Sequence, residues 1–173
     1  MNKETEIELT FLAAELPKEI KASAPLCIVD TYIPEKHDFS PLRIRKRGNV
    51  HELTRKMPIK KDDYSAHEEI TIPLEEDVYI DMLRLSKKSV TKDRYVVKID
   101  DYYAHVDVFK ERLQGLVLIE FEFKSKEEID GFEVPNSCLV DVTQDRTILG
   151  GQIAGKSYED IEPWLKSKGY KKL

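Results

Sequence analysis

The sequence has little cysteine, no excess of basic charge and no long apolar run, and each absence removes a class of function. Of its 173 residues only Cys27 and Cys138 are cysteines. Their separation fits no metal-finger spacing, so they read as free thiols in a reducing cytosol. Lysine and arginine number 28 against 33 aspartates and glutamates, a net charge of −5. Such a chain offers no overall field for nucleic acid, and any anion must be held by a local basic cluster. No apolar run approaches membrane-spanning length. The opening MNKETEIEL is too acidic for a secretory signal. The expectation is a cytoplasmic protein that engages neither nucleic acid nor membrane. Repeats, low-complexity tracts and long linkers are missing too. One domain over 1–173 follows, with a strand-rich body at about 4–148 and a terminal helix at about 157–169.

What the chain does have is alternation. Segments of period two, the signature of strands with two unlike faces, are Glu6–Leu12, Leu42–Arg47, His51–Met57, His67–Leu74, Val90–Ile99, Tyr103–Phe109 and Leu116–Phe123. Short turn signals such as Arg47-Gly48-Asn49 favour antiparallel pairing of neighbours. Three stretches carry helical spacing. Glu75–Leu85 places Val78, Met82 and Leu85 together, and Lys126–Gly131 is a short acidic turn of helix. Ser157–Gly169 has Ser157 as N-cap candidate, Asp160 three residues on, and an apolar stripe of Tyr158, Ile161 and Leu165.

The strands sort their charges by sign. Glu6 and Glu8 share a face, as do Arg43 and Arg45, Lys92 and Arg94, and Glu120 and Glu122. His67 and Glu69 stand opposite Ile70 and Ile72, and His105 and Asp107 opposite Val106 and Val108. Residues two apart on a strand point the same way, roughly 6.5–7 Å apart, so like charges there repel, more strongly where water is scarce. A polar face on a half-solvated sheet needs no ligand, but a merely wet face usually mixes signs within a strand. A metal ion answers paired carboxylates, a phosphate chain answers paired arginines and lysines, and a metal–triphosphate complex answers both.

These motifs, in this order, resemble the CYTH superfamily of triphosphate tunnel metalloenzymes. Glu6-Ile7-Glu8-Leu9-Thr10 is similar to the family's E-x-E-x-K signature, and Arg43-Ile44-Arg45 to its R-x-R strand. Lys56 fits its next-strand lysine, Glu69-Ile70-Thr71-Ile72 the end of its E-x-E strand, and Lys92-Asp93-Arg94-Tyr95 its K-x-R-Y strand. Asp107-Val108-Phe109 and Glu120-Phe121-Glu122 resemble its last acidic strands, and Asp141–Asp145 its T-x-D segment. The resemblance implies an α+β, mainly β fold: a closed eight-stranded antiparallel barrel, or tunnel, with helices packed outside. It further implies a Mg²⁺- or Mn²⁺-dependent phosphohydrolase of inorganic triphosphate or a small organic triphosphate. By that resemblance Glu6, Glu8 and Glu122 are the catalytic residues and hold one metal, with Asp107 and Glu120 helping to hold a second. Arg43, Arg45, Lys56, Lys92, Arg94 and Glu69 line the substrate. The alternatives are a class IV-type adenylate cyclase and a non-catalytic polyphosphate- or nucleotide-binding module; a homodimer is compatible with each.

Two departures from the family pattern stand out. The signature lysine is Thr10, and the first glutamate of the fourth charged strand is His67. For His67 and His105 alike, a hydrogen-bonded structural role is the ordinary expectation. Gly150–Ser157 spells the P-loop pattern G-x-x-x-x-G-K-S. A working P-loop needs a parallel sheet and a further β–α unit, which the antiparallel reading and the short remaining chain do not provide. A glycine-rich connection into a Ser-capped helix is expected there. Tyr102, Tyr103 and Trp164 are read as packing rather than base stacking.

Overall fold

The structure, a computed structural model, describes residues 2–36 and 41–173. Its described strands are β1 (Asn2–Ala13), β2 (Leu26–Ile33), β3 (Leu42–Arg47), β4 (Val50–Lys60), β5 (Asp63–Leu74), β6 (Ser89–Ile99), β7 (Tyr102–Phe109), β8 (Val117–Phe123) and β9 (Cys138–Asp141). The order β1-β5-β4-β3-β2-β6-β7-β8 returns to β1, closing an eight-stranded antiparallel barrel. Closure removes the sheet edges that would otherwise invite aggregation. Tight hairpins set the register. The β3–β4 turn uses Gly48 at φ 58°, the β4–β5 turn Asp62 at φ 61° and the β6–β7 turn Asp100 at φ 51°. Glycine, asparagine and aspartate tolerate this left-handed region best.

Strand β1 shares one of its sides between two partners. Its first half pairs with β5 from Asn2↔Thr71 to Ile7↔Ala66. Its last residues pair with β9 at Phe11↔Asp141 and Leu12↔Val140. Between them Thr10 N donates to Thr143 Oγ1 at 2.9 Å. Strands β2 and β9, which the alternation did not reveal, thus complete the wall and patch it.

Alternation sends charged residues inward and apolar residues outward along most of the barrel. Outside, Phe11, Val106, Ile119 and Phe121 are almost fully buried, covered by Ile20 of a 3₁₀ turn and by Phe132. Each such side chain contributes roughly 1.5–3 kcal/mol of burial energy. Helix α1 (Glu76–Met82) buries Tyr79 against Ile33 and Ile44 on another part of the outer wall. It ends sooner than the expected Leu85, the last turn being 3₁₀ at Leu83–Leu85. Helix α2 (Lys126–Asp130) follows β8.

The C-terminal helices α3 (Gly150–Ile153) and α4 (Tyr158–Ser167) pack outside the barrel as expected, across one of its ends. At one end of the barrel the inward positions turn apolar: Leu12, Tyr32, Val90, Phe109 and Leu118. These form one cluster with Ile148, Ile153, Tyr158, Ile161 and Leu165. The helices therefore close that end, because an apolar collar left open would face water. Gly150 lets α3 come close: a Cβ there would sit 2.0 Å from the Tyr32 hydroxyl. Ser157 caps α4 through a capping box with Asp160. The P-loop-like letters thus encode a plug and a helix start, with no parallel strand among the described pairs. No described helix is long and apolar enough to cross a membrane.

Candidate functional site

Two buried aspartates organise the basic side chains. Asp30, on β2, accepts from Arg45 Nε at 2.6 Å and Nη2 at 2.8 Å, with Arg43 Nε at 3.8 Å. Arg43 Nη2 reaches on to Glu69 at 3.0 Å. Burial pushes the Asp30 carboxyl up, but the two guanidiniums hold it well below the usual carboxylate range. Asp107, on β7, is fully buried. Arg94 grips both its oxygens, Nε at 2.7 Å and Nη2 at 2.6 Å, and Lys92 donates to Oδ2 as well. Burial opposes ionisation of Asp107, yet Arg94 and Lys92 keep it well below the ordinary range. Arg94 Nη2 also bonds Glu120.

The acidic face lies on β1 and β8. Glu8 stands directly across from Glu122, and Thr10 from Glu120. Lys56 Nζ sits between Glu6 Oε2 at 2.8 Å and Glu8 Oε1 at 2.7 Å. Burial and the neighbouring carboxylates raise the Glu8 pKa despite Lys56. At Glu6 burial also pushes upward, but Lys56 more than offsets it and the pKa falls. Glu122, half-exposed, is lowered chiefly by its hydrogen bond with His105, whose Nδ1 is 3.1 Å away. His67, opposite Glu6 in register, has its pKa lowered to about 4, mainly by burial and then by Lys56. Its imidazole is neutral at neutral pH.

These side chains line one cavity of about 150 Å³. Its lining includes Glu6, Glu8, Asp30, Glu69, Glu120 and Glu122 on the acidic side, and Arg43, Arg45, Lys56, Lys92 and Arg94 on the basic side. Ile148, Leu149, Gly150 and Ile153 floor it from the plug. The barrel thus brings together every residue singled out from the sequence, with Asp107 just beneath the lining. The carboxylates expected to hold two metals have partners within the protein. Glu6 and Glu8 share an ammonium, Glu122 faces His105, and Asp107 and Glu120 are occupied by Arg94 and Lys92. Among the described residues, the carboxylates whose oxygens all lie within 4.8 Å of one another are Glu4, Glu6 and Glu69. Glu69 is already bonded to Arg43 and Glu4 is exposed, so this trio is the weaker cation site.

The residues fit a divalent cation at Glu6 and Glu8, because the Lys56 ammonium already stands in for one. Glu8, buried, and Glu6, partly buried, need a positive charge between them, and oxygen donors of this kind suit Mg²⁺ or Mn²⁺. Asp30 and Tyr32 line the cavity, and Glu4 lies beside Glu6 and Glu69, but all three escaped the sequence reading. Glu4 carried a signal, since it extends the i, i+2 series of Glu6 and Glu8.

No protein-family model matches the chain. An inorganic triphosphatase from Nitrosomonas europaea is 29% identical over 147 residues, spanning 82% of this chain and 91% of the relative. A crystal structure of the inorganic triphosphatase NE1496 superposes with a TM-score of 0.65 at 25% identity, covering 86% of this chain and 93% of that one. A protein of Bacillus halodurans provisionally assigned as an adenylate cyclase gives a TM-score of 0.55 at 15% identity over 100% of this chain and 94% of its own. That last likeness is one of fold alone.

Proposed function

We propose that this chain, which belongs to the CYTH superfamily of triphosphate tunnel proteins, hydrolyses a phosphoric anhydride of inorganic triphosphate or of a small organic triphosphate. The observation that carries the reading is the convergence of five cations and six carboxylates on one closed-end cavity. Arg43, Arg45, Lys56, Lys92 and Arg94 supply phosphate-oxygen contacts. The carboxylates, however, leave the lining near electrical balance, so a bare polyanion would add several uncompensated charges. Divalent cations arriving with the substrate would resolve this. Mg²⁺ or Mn²⁺ held by Glu6, Glu8 and Glu122 would screen the phosphate charge and acidify the attacking water.

Asp30 and Asp107 act as positioning residues in this scheme. They fix the arginines before the phosphate arrives, so little reorganisation is left for the bound state. Asp107, expected among the metal ligands, is reassigned because Arg94 and Lys92 take both its oxygens; Glu120 likewise steadies Arg94. Lys56 takes the place of the lysine that Thr10 lacks, as the ammonium at Glu6 and Glu8. The cavity shares Glu6, Arg45, Glu69, Arg94 and Glu122 with a second space of about 540 Å³, so volume alone does not separate a phosphate chain from a nucleoside. The proposed nucleophile is water rather than a ribose hydroxyl. The sequence relative named as an inorganic triphosphatase supports the same choice.

The test is a substrate panel of tripolyphosphate, thiamine triphosphate and ATP, each with Mg²⁺, Mn²⁺ or a chelator. Phosphate release from tripolyphosphate is expected, abolished by the chelator and reduced at least tenfold in Glu8→Gln. Cyclic AMP from ATP would make the chain a cyclase. Tight tripolyphosphate binding without phosphate release would make it a binding module.

A further inference from the structure

Strand β1 lacks a strand partner on one side over a stretch that includes Glu8. Its pairing with β5 ends at Ile7↔Ala66, and its pairing with β9 begins at Phe11↔Asp141. Among the described pairs, Glu8, Leu9 and Thr10 are matched to a neighbouring strand only on the β8 side. The turn that follows β9 fills the gap as a wedge. On its β1 edge Thr143 Oγ1 accepts from the Thr10 amide at 2.9 Å, and Val142 N donates to the Thr10 carbonyl at 2.8 Å. On its β5 edge Gln144 Oε1 accepts from the Tyr64 amide at 2.9 Å. The Thr143 hydroxyl has a single proton, and Asp141 takes it: Oγ1 lies 2.6 Å from Asp141 Oδ1, against 3.5 Å from the Thr10 carbonyl. That leaves its lone pairs for the Thr10 amide. Thr143 is 4% exposed and lines the cavity, as do Thr10 and Glu8. A hydroxyl committed in this way has no proton left for a phosphate oxygen, so it acts on the strand.

We propose that Thr143 is a positioning residue: its hydroxyl stands in for the missing strand at Thr10 and so fixes the direction in which Glu8 enters the cavity. The role rests on the triphosphatase reading above, in which Glu8 acts. The lever is short. Residues two apart on a strand point the same way and lie roughly 6.5–7 Å apart, so a tilt at Thr10 is felt at Glu8. A misplacement of about 1 Å in a catalytic group can cost on the order of 10²-fold in rate. The effect falls on turnover more than on affinity, because the cations of the lining stand on other strands. Arg43 and Arg45 are on β3, Lys56 on β4, and Lys92 and Arg94 on β6.

Thr143→Val keeps the shape of the side chain and removes the hydroxyl, whereas Thr143→Ser keeps the hydroxyl. With tripolyphosphate as substrate, Thr143→Val should lose at least tenfold in kcat while KM stays within about threefold, the mark of an interaction expressed in the transition state. Thr143→Ser should remain within about threefold of the wild type in both. Gln144→Ala cuts the wedge from β5 and leaves the Thr10 bond in place, so its kcat should stay near that of the wild type. Amide exchange of the nitrogen-15-labelled full chain, without substrate, reads the hold itself. The Thr10 amide should exchange at least tenfold faster in Thr143→Val and at the wild-type rate in Thr143→Ser. If Thr143→Val fails to fold, Thr143→Cys is read in its place with the same losses expected, since a thiol is a weak donor and acceptor. Wild-type kcat in the Val or Cys variant would overturn the proposal, as would a Ser variant equally impaired or an unmoved Thr10 amide. An equal loss in Gln144→Ala would also overturn it, by assigning the effect to the wedge as a whole. A wild type that releases no phosphate would sink the triphosphatase reading and this role together. Phosphate release that survives Thr143→Val would sink this role alone.

Discussion

Asp30 shows how one side chain can organise a site through the partners it holds. It is 2% exposed and bound on both oxygens by Arg45. Taking two guanidiniums out of water is favourable only with a counter-charge at hand. Asp30→Asn should therefore lower stability by about 3–5 kcal/mol, the usual loss when one partner of a buried pair is removed. Urea unfolding checks the value. The pH dependence checks the cause. The folded-state pKa of Asp30 is held below its unfolded value, so its contribution is complete above the unfolded pKa of about 3.9 and fades as pH falls below it. The acid limb of the stability curve should be shallower in Asp30→Asn than in the wild type. An acid limb of unchanged slope, or a loss under 1 kcal/mol, would mean that water rather than Asp30 carries those arginines. Tripolyphosphate should restore more stability to the variant than it adds to the wild type, because it supplies the missing negative charge.

At the level of elements, the plug of α3 is held by the fit of one glycine to one tyrosine. A Cβ on residue 150 would lie 2.0 Å from the Tyr32 hydroxyl and 3.0 Å from its ring carbon Cζ. Gly150→Ala should destabilise by about 1–3 kcal/mol, as overpacking does. Thermal melts of the double variant Tyr32→Phe/Gly150→Ala should recover most of that loss, since removing the hydroxyl removes the closest clash. Equal melting temperatures for the single and double variants would place the strain elsewhere. This contact was not legible in the sequence, where Gly150-Gly151 read only as part of a glycine-rich connection into a Ser-capped helix. Strand β2 was hidden for a related reason. Leu26–Ile33 has apolar or neutral residues on both faces except at Asp30, because Ile28 and Tyr32 face inward while Thr31 and Ile33 are covered from outside. Period-two alternation appears only where the faces differ. Strand β9 has four residues, too few to establish a period. The charged strands were legible because their inner face is lined with charged side chains and their outer face packs into apolar clusters. With β2 hidden, the strand carrying Asp30 went unread, and the anchor of Arg43 and Arg45 went with it.

For the whole molecule the decisive quantity is the charge balance of a cavity closed at one end. Six carboxylates face five cations, so the lining by itself favours neither a cation nor a polyanion strongly. A divalent ion alone must displace the Lys56 ammonium from Glu6 and Glu8 and then leaves that ammonium without a counter-charge. A triphosphate alone finds the arginines already satisfied by Asp30, Asp107, Glu69 and Glu120. On the proposed function they would complete each other: Glu6 and Glu8 would pass from the Lys56 ammonium to the ion, and the released ammonium would turn to the phosphate. The two ligands should therefore bind with positive coupling, and thermodynamic linkage requires the coupling to be the same in both directions. Calorimetry with Mn²⁺ and a triphosphate whose bridging oxygens are methylene groups measures it, after correction for ion chelated by free analogue. Each ligand should tighten the other at least tenfold, about 1.4 kcal/mol, and by the same factor. Lys56→Met should shrink that factor, because the charge that changes partners is gone. Independent binding of the two ligands in the wild type would show that the acidic and basic walls of the barrel act as separate sites, and the exchange of Lys56 between them would have to be abandoned.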